Sequence, residues 1–380
     1  MTQRHAEIAG AGLVGLSTAL LLSESGWSVR VHEESPVVRE IGAGIALHQA
    51  ACVVLEQLGL LSSVLERGVD LDASQAIDRT GKVLADRALS GAHRQLALPR
   101  QTLIRLLADA ALAAGVEIVT GSRVVGADAT GELLLADGGT ARAELVVAAD
   151  GFHSAVRESL GLTDKKVERS NGATRALVEH TKGGGRTILE EWWGRGKRIG
   201  NLPVGPNLLY VYMSSRESDT RATAVPIDAD YWSRHFPGLD TAIFEKLRQA
   251  EARHDPYPYV RPRSWSAGRV ALAGDALNAV PPSLGLGLSL GLRNARLMVE
   301  ALAGDGEHIP AALAAWERSA RPDTEWIQRW SLLRERLAHD LPAPLAAVRS
   351  RILARSNGFR GWGRRGRSFD EALITGTVAH

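Results

Sequence analysis

The chain has 380 residues, of which 45% are apolar and 23% charged, enough for two or three units around sizeable cores. A formal net charge of +2 argues against a nucleic-acid partner, and the single cysteine, Cys52, excludes an intrachain disulfide and any cysteine-built metal cluster. No apolar run approaches the roughly eighteen residues that cross a bilayer. The first glycine motif begins at Gly10, which leaves no space for a secretory leader, so a soluble cytoplasmic protein without a membrane partner is expected.

From Ala6 the chain reads as a short apolar strand, a glycine turn, a helix over "LVGLSTALLLSESG" stopped by Gly26, and a second strand over "WSVRVHEE". This strand, helix, strand order is the smallest dinucleotide-binding element. Farther on, Thr102 to Ala114 predicts a helix and "GVEIVTG" a strand. "GELLLADGGTARAELVVAADG" predicts a hairpin followed by a buried strand that ends at Asp150. Between about Ser170 and Arg263 strand-like runs ("RTILEEWW", "KRIGNLPVG", "NLLYVYMSS") alternate with glycine and proline turns, and "DADYWSRHF" and "TAIFEKLRQAEAR" read as helices. A second, mostly antiparallel domain is expected there. After Asn294 the pattern is helical to the end, with one basic stretch from Arg355 to Arg367, read as solvated.

"GAGLVG" sets Gly10, Gly12 and Gly15 in G-x-G-x-x-G spacing between strand and helix. The first glycine makes the tight turn, the second lets backbone approach a pyrophosphate, and the third lets helix and strand pack closely. Glu33, at the end of the second strand, stands where an acid holds the ribose hydroxyls. These residues predict an adenine dinucleotide without deciding between NAD and FAD.

Two further stretches carry a resemblance. "LVVAADGFHSAVR" has an Asp-Gly pair, Asp150 and Gly151, followed by Ser154 and Arg157, and "RVALAGDALNAVPPSLGLGLSLGLRNA" has a Gly-Asp pair ending in Asp275. With "GAGLVG" they resemble, in order, the motifs of the single-component FAD-dependent aromatic hydroxylases that share the para-hydroxybenzoate hydroxylase fold. Within that group the methylhydroxypyridinecarboxylate oxygenases are the nearest likeness. The resemblance implies an α/β chain: a Rossmann-like FAD-binding domain from residues 1–74, 96–168 and 264–300, a substrate domain on a mostly antiparallel sheet from 75–95 and 169–263, and a helical region over 301–380.

It also implies FAD as cofactor, NADH or NADPH as a transient electron donor, and O2 and a small aromatic or heteroaromatic acid as partners. A flavin C4a-hydroperoxide would deliver the oxygen, and no metal is called for. Asp275 would take a hydrogen bond from the ribityl chain, Pro281 and Pro282 would shape the pocket beside the flavin ring, and Gly285, Leu286 and Gly287 would bring backbone to the ring's pyrimidine edge. Leu13, Val14, Glu34 and Val124 fall on further cofactor positions, and Arg39 and Arg100 match arginines near the pyrophosphate and ribityl region. The stretch departs from the group at Asn278, Leu286 and Asn294, where many members have histidine, glutamine and aspartate.

For the substrate, "NGATRALV", "GKRIGNLP" and "LLYVYM" place Arg175, Arg198 and Tyr210 on pocket positions; guanidinium grips a carboxylate and a phenol bonds a ring hydroxyl. His48, in the segment expected beside the flavin, could take a proton from a substrate hydroxyl. Trp192 and Trp193 read first as sheet core and second as a pocket wall. Two other readings stay open: a reductase or dehydrogenase on the same fold without productive oxygen activation, and a non-catalytic nucleotide binder. The latter leaves Asp150-Gly151 and Gly274-Asp275 unexplained.

Overall fold

The structure is a computed structural model that describes residues 3–39, 43–180, 185–304 and 308–340. The basic stretch from Arg355 to Arg367 and most of the expected C-terminal helical region lie outside these residues.

Two large sheets organise the chain. The first has six strands in the order Ser266–Ala267, Val270–Leu272, Leu145–Ala148, His5–Ala9, Ser28–Glu33 and Glu117–Thr120. All its pairs are parallel except the edge pair Ser266–Ala267 with Val270–Leu272. Because helices cover such a sheet, its inner strands Leu145–Ala148 and Val270–Leu272 are wholly apolar and every residue of both is buried. The helix Leu13–Glu24 is likewise buried along nearly its whole length, packed between the sheet and the helices Arg100–Ala113 and Gly287–Gly304.

The second sheet has seven strands in the order Ala252–Pro262, Thr163–Glu179, Leu208–Arg216, Arg198–Gly205, Ile188–Trp193, Ala73–Asp78 and Val83–Ala88. It is antiparallel apart from one parallel join between Ile188–Trp193 and Ala73–Asp78. The join exists because the hairpin from Ala73 to Ala88 leaves the early part of the chain to extend the later sheet. One face of this sheet packs on the helices Ala229–His235 and Thr241–Gln249 through Trp232, Phe236, Phe244 and Leu247. The second of these helices is shorter than the sequence pattern suggests. It stops at Gln249, and the "AEAR" run expected to continue it instead enters the strand from Ala252.

Two long helices close the arrangement, Gly287–Gly304 and Ile309–His339. The latter spans both sheets. Its Gln328 amide donates to the Val260 carbonyl at 2.9 Å and its Ser331 hydroxyl to the Pro281 carbonyl at 2.5 Å. Among the described residues no helix is long and apolar enough to cross a membrane.

Candidate active site

The three glycines of the first turn have different surroundings. A β-carbon on Gly15 would strike the Gly10 carbonyl oxygen, so helix and turn meet there in a way only glycine allows. Gly10, at φ +97°, would drive one into the Ala149 backbone 2.5 Å away. Gly12 differs: nothing lies within 4 Å of its β-carbon position, and the residue lines a cavity of about 920 Å³. The glycine with no internal packing reason is therefore the one that faces empty space.

Glu33 accepts from the Ala11 amide at 3.0 Å and from the Ser35 amide at 3.0 Å, which fixes its carboxylate beside the turn. Asp150 accepts from the Val156 amide at 3.2 Å, while its other oxygen is buried with no partner. Burial pushes its pKa above the ordinary carboxylate value. An orphaned buried oxygen beside a glycine turn is what a cofactor-bridging carboxylate looks like before its partner is bound.

Arg157 explains why an arginine follows the Asp-Gly pair. Its buried guanidinium donates to the Ala276 carbonyl at 2.9 Å and the Phe152 carbonyl at 2.8 Å. It therefore ties the Asp150 loop to the short helix Gly274–Asn278 that carries Asp275. Asp275 is exposed into the same cavity as Gly12, and Leu13, Val14, Gly151, Gly285, Leu286 and Gly287 line it too. Gly287 opens the Gly287–Gly304 helix, whose N-terminus favours negative charge, and Gly285, at φ +70° with its amide donating to the Pro282 carbonyl at 3.1 Å, makes the turn just before it.

The three departures from the motif have other occupations. Leu286 packs with Ala50, Leu290 and Ile327, and Asn294 donates to the Thr324 hydroxyl at 3.1 Å, clamping the two long helices together. Asn278 is buried with its side-chain oxygen unpartnered.

The second sheet supplies another part of the cavity wall, including Arg175, Arg198, Tyr210 and Tyr212. Neither Arg175 nor Arg198 stands alone: Arg175 pairs with Asp255 at 2.7 Å and Arg198 with Glu191 at 3.1 Å. Tyr210 crowds Gly44, whose β-carbon position lies 2.6 Å from the tyrosine side chain, and burial raises the phenol's pKa. Tyr212 covers Gly200 so closely that no side chain fits there. His48 lines the cavity and is buried, with the Gln95 amide nitrogen 3.2 Å from its Nδ1.

Several predicted residues stand elsewhere. Pro281 is buried and lends its carbonyl to Ser331, and it is Pro282 that lines the cavity. Val124 packs against the core of the first sheet. Arg39 is exposed, as is Glu34, whose carboxylate is 3.9 Å from Arg123; neither lines the cavity, although Arg100 does. Trp192 sits in the core of the second sheet, and Trp193 lies under the Arg198 guanidinium at 5.3 Å.

The sequence reading missed Glu191, Tyr257 and Arg334, all of which line the cavity. A signal existed in "RWSLLRERL": Trp330, Leu333, Arg334 and Leu337 follow helical spacing and all face the cavity. Among the described residues no cluster of histidine, cysteine and carboxylate residues could hold a metal. Cys52 is buried and its thiol pKa is pushed up to about 11, so it stays an unreactive packing group at neutral pH.

A family profile described as an FAD binding domain matches residues 4–323. The chain is 36% identical over 348 residues to the probable 2-heptyl-3-hydroxy-4(1H)-quinolone synthase AqdB2 of Rhodococcus erythropolis, covering 90% of each. It is 33% identical to the 2-heptyl-3-hydroxy-4(1H)-quinolone synthase of Mycobacteroides abscessus, over 94% of this chain and 96% of that one. Among solved structures, 2-methyl-3-hydroxypyridine-5-carboxylic acid oxygenase superposes with a TM-score of 0.84 at 34% identity, covering 95% of each chain. Open glycine backbone and a helix N-terminus around one cavity, with an unpartnered carboxylate oxygen of Asp150 next to its lining residues Ala149 and Gly151, suit a flavin dinucleotide, and the comparisons agree. The chain belongs to the FAD-binding-domain family of flavoprotein aromatic hydroxylases and is an FAD-dependent monooxygenase.

Proposed function

We propose that this enzyme takes electrons from NADH or NADPH and one oxygen atom from O2 to hydroxylate a small aromatic or N-heteroaromatic, pyridine-type acid. The other oxygen atom leaves as water. The observation that carries the reading is a single cavity lined both by the flavin loops, at Gly12, Asp275 and Gly285, and by the ring- and cation-bearing strands, at Arg198, Tyr210 and Tyr212. A substrate ring there would lie against the cofactor.

Bound FAD supplies the oxygen-activating redox chemistry. In this reading Gly10, Gly12, Gly15 and Glu33 hold its adenosine and pyrophosphate part, Asp150 and Asp275 the middle, and the Gly285–Gly287 backbone the ring. The chain's other residues bind the substrate, exclude water and settle its proton. Tyr210 orients the ring hydroxyl, and His48 is the group placed to take its proton. Similarity to an oxygenase of a hydroxypyridine carboxylic acid and to a synthase of a hydroxyquinolone supports the heteroaromatic class.

The test is NADH and NADPH oxidation by the FAD-loaded protein across a panel of hydroxypyridine and hydroxyquinoline acids and their neutral analogues. A true substrate should raise the oxidation rate well above that of the protein without a ring. If no ring stimulates it, the hydroxylase reading fails.

A further inference from the structure

The cavity holds a charge imbalance that the cofactor does not use. Glu191 takes three donors: Arg198 at 3.1 Å, the Tyr212 hydroxyl at 2.8 Å and Arg334 at 2.7 Å. Burial alone would raise its pKa, but Arg334 and Arg198 hold it below the ordinary value, so it is an anion at neutral pH. Two guanidiniums against one carboxylate leave one positive charge uncompensated. Both cations share the Trp193 ring, at 5.3 and 5.6 Å, which keeps them close despite their repulsion.

Unmet donors accompany this charge. The Nε–H groups of Arg198 and Arg334 are buried without partners, the buried Tyr257 hydroxyl lies beside the Arg198 guanidinium with no close hydrogen bond, and all three residues line the cavity. Arg198 is 1% exposed and Tyr257 0%. Leaving such donors unpaired is costly, and a buried net charge more so, unless something arrives to take them. Asp86 also borders the cavity, but its carboxylate is engaged by Arg186 and Gln75.

We infer that Arg334, Arg198 and Tyr257 form a subsite for an anionic oxygen on the substrate, a carboxylate or a ring oxyanion, with Glu191 as the counter-charge that sets its strength. Arg334, on the Ile309–His339 helix, is then a specificity-determining residue of the reaction. The inference rests on the hydroxylase reading for the nature of the substrate, but its test does not require turnover.

Calorimetric titration of the FAD-loaded protein at about pH 8.5 would compare benzoate with benzamide and 4-nitrophenolate with 4-nitroanisole. The anion of at least one pair should bind about tenfold or more tightly than its neutral partner, and the responding pair identifies the oxygen's source. Arg334→Met should raise the anion Kd at least about tenfold, with the neutral Kd and the flavin content unchanged. Arg334→Lys should restore part of the preference, because a charge remains. Glu191→Gln should move the anion Kd in the opposite direction, downward, which loss of packing alone would not do. Equal binding of anion and neutral partner in both pairs, or an Arg334→Met protein with the preference intact, would overturn the subsite. A protein that hydroxylates only neutral rings loses the subsite and keeps the hydroxylase reading; one that binds the anion but oxidises no NAD(P)H with any ring does the reverse.

Discussion

Gly12 and Gly15 belong to one motif but answer to different forces, and substitution separates them. Gly15→Ala forces a methyl group into the Gly10 carbonyl, an overpacking that should cost roughly 1–3 kcal/mol of stability. Gly12→Ala meets nothing, so the apoprotein's unfolding free energy from urea titration should change less than that of Gly15→Ala, by about 0.5 kcal/mol or less. Its flavin content after purification should nevertheless fall sharply. A Gly12→Ala protein that is as yellow as the parent would remove Gly12 from the cofactor site.

Asp150 makes a second prediction at this scale. Burial raises its pKa above the ordinary 3.8, so the folded apoprotein holds the proton more tightly than the unfolded chain. The associated stability is present below 3.8 and is lost as pH rises through the raised value. At pH 7 the ionised, half-satisfied carboxylate is therefore a net cost, and Asp150→Asn should raise the apoprotein's urea midpoint while lowering flavin affinity. A midpoint that falls, measured without FAD, would contradict this account.

At the scale of elements, the Ile309–His339 helix does most to shape the cavity. Gln328 and Ser331 hold the carbonyls of Val260 and Pro281, and one turn farther on Arg334 reaches Glu191. Gln328→Ala strands a buried carbonyl and should cost roughly 1–3 kcal/mol. Because the loop it steadies carries Pro282 and Gly285, flavin should also dissociate faster, a rate readable by dilution fluorescence; an unchanged rate would show that the helix does not brace that loop. Such cross-chain ties explain what sequence did and did not disclose. The glycine turn, the seat of Glu33 beside it and the Asp150 and Gly274 loops were legible as local structure because each lies in contiguous residues with a fixed spacing. Glu191 and Arg334 lie 143 positions apart, and no local pattern says that they meet. The same limit applies to Arg175 and Arg198: their charges were readable, but their partners Asp255 and Glu191 depend on strand register. Pro281 and Pro282 differ only in which way the chain turns.

For the molecule as a whole, the arrangement of two sheets matters more than any single group. The parallel sheet ends in loops that present backbone, suited to a polyanionic cofactor, and the antiparallel sheet presents side chains, suited to recognising a ring. The early hairpin from Ala73 to Ala88 and the last described helix both reach the second sheet, so the cavity is assembled from distant parts of the chain. The most direct measurement is mass spectrometry of the product formed from a stimulating heteroaromatic substrate under oxygen-18 gas, with FAD-loaded protein and NAD(P)H. The account expects one labelled oxygen atom in the ring hydroxyl and none from water. NAD(P)H consumed with only labelled hydrogen peroxide formed, and the ring unchanged, would contradict it and point to a reductase on the same fold.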